Sequence, residues 1–268
     1  MSHDDEVRAW QRARTARLGA PDGWLAHVGR FWLHEGENRI GSDPDSDVVL
    51  PQRFPRFAGT AHLGAGAVVV EAPPEASLRL DGAPIGRAEL RLDATATPAL
   101  TLGSVRLELL RRGARVAMRL RDPESPERRA FSGLDYYPIR PEWRIEARFV
   151  PYDPPTQIDV EFEVGEPSAY RCPGAAVFHI DGKEQRLEPV IEHDRERLFV
   201  LFADPTNRDE TYGAGRFLYA DMPAGDRVVL DFNKAFNPPC AVTPWAVCPL
   251  VPAANRLTVR VEAGEKRP

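Results

Sequence analysis

Apolar and polar residues alternate one by one in short runs along most of this chain, the period that a β-strand with one wet face requires. Ile158, Val160, Phe162 and Val164 alternate with Asp159, Glu161 and Glu163. Val105, Leu107 and Leu109 alternate with Arg106 and Glu108, and Val116, Met118 and Leu120 repeat the pattern after a turn at Gly113. Val228, Leu230 and Phe232 form a further run, and Leu257, Val259 and Val261 predict a last strand. The segment from Leu198 to Phe202 is apolar throughout, as in a central strand covered on both faces. An Asp181-Gly182 turn after Val177 to Ile180 predicts a hairpin. Helical periodicity is missing after residue 145. The runs are bounded by Gly, Pro or Asp, and the 26 prolines are scattered as in a chain of many turns.

One segment departs from this pattern. Residues 2–18 read as a helix, with Ser2 as N-cap, Asp5 three positions on, and Asp4 to Glu6 at the positive end of the helix dipole. Val7, Trp10 and Leu18, with Ala13 and Ala16, predict an apolar stripe, and the arginines are expected to face water. Such a helix would cover a sheet edge.

Composition narrows the function classes. Net charge is −5, unevenly placed: residues 1–122 carry 17 arginines against 16 acidic residues, and the remainder carries 18 basic against 24 acidic. No basic stripe is present, so no nucleic-acid partner is expected. No apolar run approaches the roughly 20 residues of a membrane span, and the acidic start lacks the apolar core of a signal peptide. A cytoplasmic protein follows as the expectation. The odd cysteine count of three argues against a disulfide framework. Arginine greatly outnumbers the three lysines, as in a GC-rich genome.

Two resemblances emerge. Ile40-Gly41, Asp47 to Leu50, His62, Asp81-Gly82 and Leu100 to Gly103 resemble the skeleton of a forkhead-associated (FHA) domain across residues 24–112. That family holds phosphothreonine with an Arg after the first Gly and with a Ser and an Arg before the His. Here Ser42 follows Gly41, and Gly59-Thr60 stand before Ala61-His62. The resemblance therefore implies the fold, with His62 as a loop-bracing histidine, and makes a phosphothreonine peptide an unlikely partner. The words Phe202 to Thr206, Glu210 to Leu218, Asp231 to Ala241, Cys248 to Leu250 and Ala263 to Lys266 resemble the DUF1684 family of uncharacterised bacterial and archaeal proteins. That likeness is dense over residues 130–266 and implies no activity.

The fold class expected is all-β: an N-terminal helix (1–20), a degenerate FHA-like β-sandwich (21–122), and a DUF1684 unit (130–268) built as a second antiparallel β-sandwich or open barrel. No motif names a reaction, and no cofactor is implied. The leading reading is a site for a small polar or anionic ligand in the C-terminal unit. Its candidate residues are Asp204, Thr206, Glu210, Tyr212, Arg216, Asp231, Asn233, Lys234 and Asn237, since a carboxylate, an arginine, a lysine, amides and a tyrosine orient such a ligand. The same residues also suit a network that braces loops. Cys240 and Cys248, with His179, offer a zinc alternative with poor spacing; buried thiols or a redox pair are the others. The alternative function is a non-catalytic interaction scaffold that uses the FHA-like half.

Overall fold

The computed structural model describes residues 1–64, 66–92, 100–162, 167–192 and 196–268, and statements of absence below concern these residues. Val164 of the predicted strand lies outside them. The chain divides into two units, Leu18–Phe131 and a discontinuous unit made of Met1–Arg17 with Ser132–Pro268.

The unit Leu18–Phe131 contains two sheets. One has five strands, in the order Val48–Val49, Gly36–Gly41, Gly59–Gly64, Ala67–Glu71 and Arg87–Arg91. The other has six, in the order His27–Trp32, Arg115–Arg121, Val105–Arg112, Leu100–Leu102, Arg79–Leu80 and Ala83–Pro84. Their apolar faces share one core, in which Ile40, Val68 and Leu90 from the first sheet meet Leu107, Met118 and Leu120 from the second. Two glycines are fixed by close approach. A Cβ on Gly41 would lie 2.0 Å from the Arg56 carbonyl oxygen, and one on Gly59 would lie 2.3 Å from that of Glu71.

His62 does not brace a loop: it is exposed on its strand. Asn38 does that work instead. Fully buried, it accepts from His34 N (2.9 Å) and donates from Nδ2 to the carbonyls of His34, Gly36 and Ala61. The polar, Pro-containing stretch after Arg121 contains a short helix, Pro126–Ala130, capped by Ser125 and belonging to this unit.

The other unit is a seven-stranded antiparallel sheet curled as a half-barrel. Its order is Arg216–Ala220, Leu198–Phe202, Val190–Ile191, Ser168–Ile180, Arg144–Val160 and Arg227–Asp231, with Lys183–Leu187 paired to Ser168–Ile180 across the expected hairpin. Leu198–Phe202 is buried at every position, as a central strand must be. The predicted last strand does not form a ladder. Leu257, Val259 and Val261 are buried in alternation; a single bridge joins Arg256 to Ala203, with Leu257 N–H donating to the Ala203 carbonyl (2.8 Å), and beyond it Thr258 and Val261 find side-chain partners for their backbone groups.

The helix His3–Leu18 is capped as predicted, Asp5 N donating to Ser2 Oγ and Ser2 N to Asp5 Oδ2, both at 3.2 Å. Its buried stripe differs from the expectation. Ala13 and Ala16 are exposed, whereas Arg14 is buried. His3, Val7, Trp10 and Arg14 follow the four–three–four spacing of one helix face. Arg14 can occupy that face because Nε donates to Glu265 (2.9 Å), Nη2 donates to the Asn237 carbonyl (2.8 Å), and the guanidinium lies over the Phe236 ring. None of the described helices is long and apolar enough to cross a membrane.

His27 sits almost wholly buried beneath Trp24, and burial, with Arg119 and Arg121 nearby, pushes its pKa down to about 3 from 6.5. Between these values the unfolded chain binds a proton that the folded chain does not, so the stability contributed by a neutral His27 is lost as pH falls from about 6.5 toward about 3. His27→Gln should flatten urea-melt stability against pH across this window and leave it unchanged above it. An unaltered acid slope would contradict the assignment.

Candidate functional site

The C-terminal words do not converge on one centre. Arg216 pairs with Phe202 across the ladder and shares its sheet face with Leu218 and Ala220, which lie in the core. Asp231 follows Leu230, whose side chain fills that same core, and so leaves its strand on the opposite face. Arg216 and Asp231, read from the sequence as parts of one ligand site, therefore do not meet, and the physical reason is the two-residue period of the strand.

Asp204, Thr206 and Arg216 form a buried brace. The Arg216 guanidinium, with no exposed surface, donates to Asp204 Oδ2 (2.7 Å) and to the carbonyls of Val261 (2.8 Å) and Ala263 (2.5 Å). Asp204 Oδ1 accepts from Thr206 N (2.9 Å) and Val261 N (3.0 Å). Asn207 closes the capping box by accepting from Asp204 N (2.7 Å), and its amide donates to Thr211 Oγ1 and the Tyr212 carbonyl. Thr206 and Thr211 share a hydroxyl hydrogen bond of 2.8 Å. A carboxylate and a guanidinium removed from water need this many partners, because each alone is costly to bury. Gly215 permits the approach: its φ is +100°, and a Cβ there would lie 2.7 Å from the Phe202 carbonyl oxygen.

Asp231 and Lys234 hold the N-terminal helix. Asp231 Oδ2 lies 2.8 Å from His3 Nε2 and 3.6 Å from Lys234 Nζ, and Lys234 pairs with Glu6. This pairing, with Lys234 as its largest cause, holds the Glu6 carboxyl below its ordinary value. Asn233 bonds both backbone groups of Arg140, at 3.0 Å each. Asn237 belongs to a third group, its N–H donating to Glu265 (2.7 Å) and its amide to the Lys266 carbonyl (2.7 Å). Glu210 faces Arg260 (3.4 Å) and accepts from the Tyr137 hydroxyl, rather than pairing with Arg216. Burial first, and then Glu210, raises the Tyr137 pKa. Tyr212 donates to the Cys240 carbonyl at 3.3 Å.

Partners at a distance in sequence were not legible from the words themselves. Asn255 bonds both backbone groups of Glu188 in an otherwise unremarkable stretch. Glu265, buried between Arg14 and Asn237, lies inside the singled-out Ala263 to Lys266 word, and only its acidic character could have marked it.

The cysteines are thiols. Cys240 N–H donates to Cys248 Sγ at 3.2 Å, so the intervening loop does fold back and bring the two together. His179 is exposed opposite Glu184, and among the described residues no three His, Cys, Asp or Glu side chains gather as metal ligands. The zinc alternative is therefore not formed by Cys240, Cys248 and His179.

Residues 129–266 match the family described as "Protein of unknown function (DUF1684)". The solution NMR structure of an uncharacterized protein from Haloarcula marismortui is 32% identical, covering 54% of this chain and 82% of that one, with a TM-score of 0.44. No curated protein matches.

Two outcomes test this geometry. Arg216→Ala strands Asp204 as a buried unpaired charge and should destabilise the fold by about 3–5 kcal/mol in urea melts; a loss below about 1 kcal/mol would mean that the pair is not the brace described. Mild diamide oxidation should link Cys240 to Cys248, since an N–H···S contact of 3.2 Å puts their backbones near the disulfide range. Cys172, wholly buried and donating to the Gly174 carbonyl, should stay a thiol in peptide mapping.

Proposed function

Because the chain belongs to the DUF1684 family, whose function is unknown, no activity passes to it from relatives, and we propose from its own geometry that it is a non-catalytic interaction module that docks a peptide segment on its N-terminal β unit. The observation that carries this reading is a groove of ≈ 340 Å³ lined by Phe57, Thr60, Glu71, Ala72, Pro73 and Gly86. Phe57, 43% exposed, is one of few large apolar side chains left in water, and the Arg39 guanidinium lies 5.2 Å from its ring centre. An aromatic anchor beside a concavity is the usual centre of a binding hot spot.

The polar words of the C-terminal unit support the same choice by exclusion. Asp204 and Arg216 direct their charged atoms to backbone and to each other. Asp231 and Lys234 direct theirs to the N-terminal helix. A small polar ligand would have to displace these bonds rather than complete them.

The groove lies at the strand ends where the FHA resemblance would seat a peptide, Thr60 standing two residues before His62. Phosphate is not the recognised feature. Ser42 is buried, its hydroxyl donating to the Phe54 carbonyl at 2.8 Å. The segment that fits carries an apolar side chain for Phe57 and a donor for Glu71 and Thr60. We place this module in the cytoplasm, where its thiols are kept reduced.

Peptides selected from a random display library against the full chain should shift amide resonances of residues 57, 60, 71–73 and 86. They should lose about tenfold or more in affinity with Phe57→Ala. They should bind as well without phosphate as with it. Selected peptides that perturb only residues 132–268, or that bind Phe57→Ala unchanged, would sink the proposal.

A further inference from the structure

Among the described residues, the two sheets of the unit Leu18–Phe131 end in four edge strands, and three of them are blunted against further pairing. Val48–Val49 and Ala83–Pro84 are two residues long, and Pro84 has no N–H to give. His27–Trp32 carries a register shift between His27 and Gly29, the kind of bulge that turns an edge away. Arg87–Arg91 has neither guard. It pairs with Ala67–Glu71 at five consecutive positions without a shift, and it contains no proline.

Register fixes which backbone groups this edge presents. Ala72 N–H donates to the Gly86 carbonyl (2.9 Å) and Leu92 N–H to the Gly66 carbonyl (3.1 Å), so these pairs and every second pair between them exchange the ladder bonds. Arg87, Glu89 and Arg91 stand at the alternate positions, where N–H and C=O point away from Ala67–Glu71. The outward backbone groups of Arg87 and Glu89 have no partner among the described residues. Their side chains are exposed, on the face opposite Leu90, which lies in the core. The edge also begins beside a concavity. Gly86 lines the Phe57 groove, and Thr60, Glu71 and Arg87 form one row across the sheet next to it.

Building on the peptide-docking reading above, we propose that an extended segment of a partner protein adds to Arg87–Arg91 as an antiparallel strand, with a basic residue opposite Glu89 and an apolar residue farther along in the Phe57 groove. Main-chain bonds to the outward groups of Arg87 and Glu89 supply affinity, and the side chains supply choice. Antiparallel pairing carries the segment's C-terminal end toward Gly86, so the apolar anchor follows the basic residue. Charge selects the occupant. Glu89 has no ion pair among the described residues, whereas Arg87 already pairs with Glu71 at 3.0 Å. A second copy of this chain is a poor occupant: pairing centred on Glu89 sets Glu89 against Glu89 and Arg87 against Arg91, and directly opposed like charges destabilise a sheet.

The experiment uses the full chain and the peptides selected on it from a random display library. Bound peptide should slow hydrogen exchange of the Arg87 and Glu89 amides at least tenfold. N-methylation of the peptide at alternate residues, those whose N–H faces the edge, should cost about tenfold or more in affinity, and at the residues between them little. Glu89→Pro removes an N–H that the sheet does not use and should weaken binding to the same degree; the N-methylated peptides carry the test if that variant does not fold. Glu89→Arg should exchange the preference for a basic residue for an acidic one. Peptides that depend on Phe57 but leave the Arg87 and Glu89 amides exchanging as before would overturn strand addition and leave the groove reading standing. Peptides that protect both amides yet bind Phe57→Ala unchanged would support the edge and sink the groove. If no peptide is selected, both fall.

Discussion

The Asp204–Arg216 pair is the interaction on which the C-terminal unit depends. Beyond the single bridge between Ala203 and Arg256, alternate side chains of residues 257–263 are buried, yet among the described residues no strand continues the pairing to receive their backbone groups. Val261 N–H goes to Asp204, and the Val261 and Ala263 carbonyls go to Arg216. A carboxylate and a guanidinium thus act as a sheet edge made of side chains. The same two residues fix the exit of Leu198–Phe202, the turn Pro205–Arg208 and the start of Arg216–Ala220. Burying an ion pair is generally a poor route to stability. Here it solves a different problem, the pairing of buried backbone groups in a segment without a ladder.

The fold class was legible because period-two alternation survives wherever one sheet face is wet. It marked the runs at 105–109, 116–120 and 228–232, and the unbroken apolar run at 198–202 marked the central strand. Alternation reports burial, however, and not what the backbone pairs with. That is why 257–261 read as a strand and is not one. The helix stripe failed at Arg14 for a related reason: a charged residue is assigned to water unless its partner is known, and Glu265 lies 251 residues away.

The candidate residues were legible as a group and not as an arrangement. Asp204, Arg216, Asp231 and Lys234 are all polar groups held by specific partners, as their unusual setting suggested. Which of them meet depends on the face each leaves its strand from and on segments remote in sequence, such as His3 and Val261.

The helix His3–Leu18 docks through Arg14 on Glu265 and through His3 on Asp231, so one unit is assembled from Met1–Arg17 and Ser132–Pro268, with the residues of the other lying between them in sequence. This imposes an order on synthesis. The intervening unit has all of its strands once residue 121 has left the ribosome and can close its core alone. The helix, made before that unit, must wait with Val7 and Trp10 uncovered until its partners between residues 231 and 265 have been translated. A ribosome stalled before the codons for 231–265 would therefore hold one finished unit and one open one, with an apolar helix face presented to whatever chaperone or protease meets it first.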